Sequence, residues 1–175
     1  GRLGCPVCAS SYPIHGGVAD FRDASDLSRV DSGNSRPQSI PDPDDAFRFG
    51  AMLGLTRPGS LVVVEGAAAT AASALSELTE SRVIVLNPGA PIAETERVAT
   101  VLAGERIPLA EASAGGIVTS KQDEARLRDA ARILRPGGRI VAPAGTELGN
   151  QFIELARDER HVVAESIGQL VPLGR

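Results

Sequence analysis

Between residues 61 and 144, short apolar runs alternate with stretches of helical pattern, and this rhythm limits the fold most. "LVVVE" (61–65), "RVIVLN" (82–87), "GIVTS" (116–120) and "RIVAPA" (139–144) read as strands, with a weaker one near 98–102. The first two have no polar face. Such runs belong to strands covered on both sides, as in a parallel sheet. Residues 68–79 read as a small-residue helix opening straight off the first strand. Residues 121–135 form an amphipathic helix with Ala125, Leu127, Ala130, Ala131, Ile133 and Leu134 on its apolar side. "RPGG" (135–138) ends it, because proline cannot continue a helix and glycine supplies the turn. An earlier helix starts at Asp42 or Asp44 and runs to about Leu55, with Phe47, Met52, Leu53 and Leu55 as its apolar positions. A short helix is expected over 147–156. "HVVAES" (161–166) and "GQLVPL" (168–173) are expected to close the chain as an antiparallel pair. Strands alternating with helices imply right-handed crossovers. The expected class is α/β: a Rossmann-like, doubly wound, mostly parallel sheet with a C-terminal antiparallel strand pair and a small N-terminal β-hairpin.

The first 42 residues have a different character. "SYPIHGGVADF" (11–21) places Gly16-Gly17 between two short apolar segments, a hairpin signal. Residues 23–42 are polar and rich in Ser, Asp and Pro, which is linker composition. The expected division is a hairpin over 1–22, a flexible linker over 23–42 and a main domain over 43–175. Cys5 and Cys8 have the spacing of a metal knuckle.

Composition excludes several partners. Net charge is −4 and aromatics are 3%, with no Trp. No basic excess exists to hold phosphates and few rings exist to stack bases, so a nucleic-acid partner is disfavoured. No apolar run approaches the roughly 18–20 residues of a membrane span. A cytoplasmic location is the default. The chain begins with Gly1, and further residues are expected upstream of it.

Two stretches carry a family resemblance. "ARLRDAARILRPGGRIVAP" (125–143) resembles the class I S-adenosylmethionine-dependent methyltransferases, in which a helix ends in a PGG turn and feeds the fifth strand. "ERIPLAEASAGGIVTS" (105–120) is similar to that family's approach to its fourth strand. The resemblance covers about 43–175. At the N-terminus, "LGCPVCASSYPIHGGVADF" resembles the second half of a Trm112-like zinc ribbon. It implies Cys5 and Cys8 as metal ligands. Tetrahedral zinc takes four ligands, so zinc is expected only if a second ligand pair lies upstream. His15, one residue past the YPI segment, reads as facing solvent.

The methyltransferase resemblance implies a cofactor loop at "VVVEGAAAT" (62–70). In that family an acid and a spaced set of glycines follow the first strand, leaving bare backbone for the ligand. Here the first glycine falls at Gly66, and the next two fall at Ala68 and Thr70. Glu65 is displaced by one residue from the acidic position, which turns its side chain to the other face of the strand. The family's ribose-binding acid at the end of the second strand becomes Asn87, which lacks the charge. An acid before the fourth strand is replaced by Gly115-Gly116. The candidate cofactor residues are Glu65, Gly66, Ala68 and Asn87. Ser120, Lys121 and Asp123 are the local candidates for a base, although capping and solvation of the next helix is the preferred reading of them. His161 reads as structural. No catalytic residue is assigned, and no segment reads as a lid.

The expected function is a methyltransferase-fold protein with eroded cofactor motifs, a pseudoenzyme. It would serve as a binding or scaffold subunit of a larger complex. Its partner would be a protein engaged through residues 1–42, and the complex could be peripheral to a membrane. No bound cofactor is then expected. The alternative is an active S-adenosylmethionine-dependent methyltransferase acting on a small molecule or a protein, with S-adenosylmethionine as its cofactor.

Overall fold

The computed structural model describes residues 1–4, 9–23 and 44–168. Cys5, Cys8, the linker from residue 24 onward and the expected strand over 169–173 lie outside the described residues. The elements run β1 (Arg2–Gly4), β2 (Ser11–His15), β3 (Val18–Asp20), α1 (Asp45–Leu53), β4 (Leu61–Glu65), a 3₁₀ helix (Gly66–Ala71) and α2 (Ala72–Thr79). They continue through β5 (Arg82–Leu86), β6 (Val98–Leu102), β7 (Ala114–Val118), α3 (Glu124–Ile133), β8 (Leu134–Pro143), β9 (Phe152–Arg157) and β10 (His161–Ser166).

The strands form one ten-stranded sheet in the order β1-β2-β3-β6-β5-β4-β7-β8-β10-β9. From β3 to β8 the neighbours are parallel. The β8–β10–β9 edge is antiparallel, and so are β1–β2 and β2–β3. The class is therefore the expected one: an α/β, Rossmann-like, mostly parallel sheet with a C-terminal antiparallel pair. The Gly16-Gly17 hairpin forms, and β3 extends the sheet by pairing with β6.

Val62, Val63 and Val64 are all fully buried, because β4 lies at the centre of the sheet with layers on both faces. Alternation divides them. Val62 and Val64 join Phe49, Leu53 and Leu75 under α1 and α2. Val63 joins Ile117, Leu127, Ile133 and Ile140 under α3.

Four details differ from expectation. Residues 147–156 do not form a helix; Phe152–Arg157 is the edge strand β9, and it is β9 that pairs with β10. "ELAR" has helical propensity, but pairing along β10 overrides it. The register slips between Val163 and Ala164, a bulge that blunts this outer edge. Next, Pro136 and Gly137 do not stand outside the strands. β8 starts directly at Leu134, and Gly137 takes a φ of +76° within it, where glycine has no steric penalty. Finally, α1 buries Ala46, Phe49, Gly50 and Leu53 and leaves Phe47 69% exposed. Gly50 faces Thr79 and Leu75, and a Cβ there would lie 3.2 Å from Thr79 Cγ2, so the α1–α2 contact is a close one. The expected helix over 68–79 is a 3₁₀ turn for its first four residues.

Candidate functional site

The chain leaves β4, builds β5 and β6 on one side, then crosses back to place β7 on the other. Strand order reverses between β4 and β7. In open α/β sheets the ligand crevice lies beyond the carboxyl ends of the strands at that point. Every candidate cofactor residue is at or near it.

Gly66 follows Glu65 with a φ of +69°, a backbone state that favours glycine. A side chain there would also meet the next chain segment: an ideal Cβ on Gly66 would lie 2.1 Å from Ser120 Oγ and 3.0 Å from Ser120 Cβ. Ser120 follows β7, so a side chain at residue 66 would collide with the chain's own serine.

Glu65 is 2% exposed and turned toward β7 and α3. Thr119 Oγ1 donates to its Oε2 at 2.9 Å. Arg126 Nη2 stands 3.3 Å from Oε1, and Lys121 Nζ stands 3.7 Å from it. Arg126 is 1% exposed and its Nη2 also donates to the carbonyl of Gly104 at 2.7 Å. The carboxylate is thus the centre of a buried ionic cluster that ties the ends of β4, β6 and β7 to α3.

Asn87 has a φ of +46°, which asparagine tolerates better than most residues. Both ends of its amide are engaged with one residue. Nδ2 donates to the carbonyl of Ala103 at 2.8 Å, and Oδ1 accepts from the Ala103 N–H at 2.9 Å. The side chain clamps the end of β6. Asn87→Asp keeps the acceptor, loses the donor and sets a carboxylate against a carbonyl. Chemical denaturation should show it destabilised by about 1–3 kcal/mol.

Ala68 is buried in the 3₁₀ turn and packs with the α1–α2 core. Asp123 caps α3: its carboxylate accepts from the backbone N–H of Arg126 at 2.8 Å, the capping role weighed from sequence. His15 is exposed. Among the described residues, no group of three or more His, Cys, Asp or Glu could hold a metal ion. Among them, too, no helix is long and apolar enough to cross a membrane.

What remains at the strand ends is a crevice of about 150 Å³ between α1, the 3₁₀ turn, β7 and the start of β10. Asp45, Phe49, Glu65, Ser120, Arg160 and His161 are among its lining residues. The Phe49 and His161 rings meet edge-on at 5.7 Å and 82°. Burial pushes the His161 imidazole below its usual pKa, against the opposing pull of Asp158. A larger groove of about 390 Å³ lies along α3 between Arg106 and Arg132, and it includes none of these residues.

At about 150 Å³ the crevice is small for a ligand the size of S-adenosylmethionine. Pockets for ligands of drug size run to roughly 300–1,000 Å³. Ser120 stands beside the loop at Gly66, the acid is paired with Arg126 and Thr119, and the residue at the ribose position is bonded to Ala103.

Sequence reading missed Arg126, Thr119 and Asp45. Arg126 had a signal. It falls on the stripe of Ala130 and Ile133, at i, i+4 and i+7, where a charge needs a buried partner. Thr119 and Asp45 had none that distinguishes them from surface residues.

No protein-family model and no curated protein matches the chain. Solved structures do. One is a protein of Anabaena variabilis described as a methyltransferase from an antibiotic biosynthesis pathway. Its TM-score is 0.52 at 19% identity, over 62% of this chain and 47% of that one. The Streptomyces coelicolor geranyl diphosphate C-methyltransferase gives 0.47 at 16% identity, over 55% and 41%. The antibiotic-resistance methyltransferase Kmr gives 0.49 at 14% identity, over 75% and 96%. The chain spans less than half the length of the first two. Likeness at this level concerns the path of the backbone. The strand order and the first of these structures agree: the chain has the fold of the class I S-adenosylmethionine-dependent methyltransferases.

Proposed function

We propose that this chain is a methyltransferase-fold protein that no longer takes S-adenosylmethionine in the switch-point crevice. It works as a non-catalytic binding or scaffold subunit of a larger complex. One observation carries the reading: Glu65 and Asn87 are each committed to contacts within the chain, and Ser120 stands beside Gly66. Binding the cofactor would require breaking a buried ion pair, moving Ser120 and unclamping β6. Methyl transfer depends on holding donor and acceptor in one geometry, and among the described residues the switch-point crevice is only about 150 Å³.

The partner in this proposal is a protein, engaged through residues 1–42 with their Trm112-like ribbon and polar linker. A polar segment of this kind can order on binding. Cys5 and Cys8 supply half of a tetrahedral zinc set, and a second ligand pair is needed to complete it. A cytoplasmic complex at a membrane surface is the setting the proposal favours. The rival reading, an active methyltransferase on a small molecule or protein, has the shared fold in its favour.

Thermal unfolding separates the two. A ligand that binds only the native state stabilises it in proportion to the logarithm of its concentration over Kd. At a thousandfold excess over Kd the gain is about 4 kcal/mol. We expect no change in Tm with millimolar S-adenosylhomocysteine. A rise of several degrees would favour the active reading.

A further inference from the structure

Phe47 on α1 and Leu78 on α2 are large apolar side chains turned away from the core, 69% and 54% exposed. They belong to one surface, because α1 meets α2 at Gly50: a Cβ there would lie 3.7 Å from Leu78 Cδ2. Phe47, Gly50, Ala51 and Gly54 fall at i, i+3, i+4 and i+7, which is one face of a helix. Ala51 and Gly54 are exposed, and so is Ala74, one turn before Leu78 on α2. A contiguous apolar surface of this kind marks an interaction site.

Its shape and its charges indicate the partner. The face is raised by one ring in the N-terminal half of α1 and is low in the C-terminal half, where Ala51 and Gly54 carry little or no side chain. The charges divide in the same sense. Asp44 and Asp45 open the helix, and Arg57 and Arg139 stand at its far end. Arg139 lies against the C-cap: its Nη1 would be 2.5 Å from a Cβ on Gly54, and its side chain is 33% exposed. A second copy fits this face in one direction only. Parallel helices would set ring against ring and acid against acid. Antiparallel helices, related by a twofold axis beside Gly50 and Ala51, seat each Phe47 over Ala51 and Gly54 of the partner copy. The ring then meets the guanidinium of Arg139, which an aromatic face attracts. The same operation brings Asp44 to Arg57 and sets the positive end of each helix dipole beside the negative end of the other. Surfaces that join about a twofold axis are self-complementary in this way.

We propose that α1 and the adjoining edge of α2 form the interface of a twofold homodimer, with its two α1 helices antiparallel. The proposal goes beyond the loss of cofactor binding and does not depend on it.

The test is sedimentation equilibrium of the whole chain over roughly 1 μM to 1 mM, where a small interface assembles. We expect the mass to rise with concentration toward twice that of the chain. Phe47→Asp should weaken association at least tenfold. Its side chain is exposed and in the first turn of the helix, where an acid is favourable, so thermal unfolding should show the variant folded. Ile153→Asp, at a site 58% exposed on β9, should associate like the parent. Asp44→Arg and Arg57→Asp should each weaken association, and the double variant should restore it. A parent that stays monomeric throughout would overturn the proposal and leave the face to residues 24–43 of the same chain or to a different protein. Association unchanged in Phe47→Asp, or not restored in the double variant, would overturn it as well.

Discussion

Arg126→Met should destabilise the protein by about 3–5 kcal/mol, the usual loss when one member of a buried ion pair is removed. Glu65, 2% exposed, would keep its carboxylate with only the half-exposed Lys121, 3.7 Å away, as a cation. Thr119 alone would still donate to it at hydrogen-bond length. In a domain of this size 1 kcal/mol moves Tm by about 2–4 °C, so the midpoint should fall by roughly 6–20 °C. The pair is not optimal. Arg126 Nε and Nη1 have no hydrogen-bond partner. Replacing both charges with apolar residues of similar size is often neutral or better. The double variant Arg126→Met, Glu65→Leu should therefore recover most of the loss. A single variant within about 1 kcal/mol of the parent would show that the pair does not hold β4 to α3.

Gly66→Ala should cost about 2–3 kcal/mol, from two sources that can be separated. A left-handed backbone costs a residue with a Cβ roughly 1–2 kcal/mol. Crowding against a packed neighbour adds about 1 kcal/mol or more. The neighbour is Ser120: its Oγ can rotate away, but its Cβ, 3.0 Å from the new atom, can only move with the backbone. Combining Gly66→Ala with Ser120→Gly should remove the second cost and leave the first. Equal losses in the single and double variants, measured by denaturant titration, would show that Ser120 does not press on the loop.

Much of this was legible in the sequence. The apolar runs of β4 and β5 have no polar face, and both are buried strands of the parallel sheet. The amphipathic helix before the PGG segment identified the approach to β8, although PGG itself lies within that strand. The edge strand β9 was not legible. Five of its six residues are exposed and no apolar alternation singles it out, so only its pairing with β10 makes it a strand. At the site, the displaced Glu65 and the substituted Asn87 were visible as departures from a pattern. What they do instead was not, because it depends on residues far along the chain. Glu65 meets Thr119 and Arg126, and Asn87 meets Ala103. A sequence shows which side chain has changed but not which distant backbone it holds.

These contacts share one consequence. The carboxyl ends of β4, β6 and β7 are laced together by side chains at the place where this fold ordinarily opens to a ligand. The most direct measurement is a calorimetric titration of S-adenosylhomocysteine into the folded protein. The account predicts no heat of binding up to millimolar ligand. Saturable binding at micromolar concentration would contradict it, and would mean that the lacing opens and that a methyl acceptor should be sought.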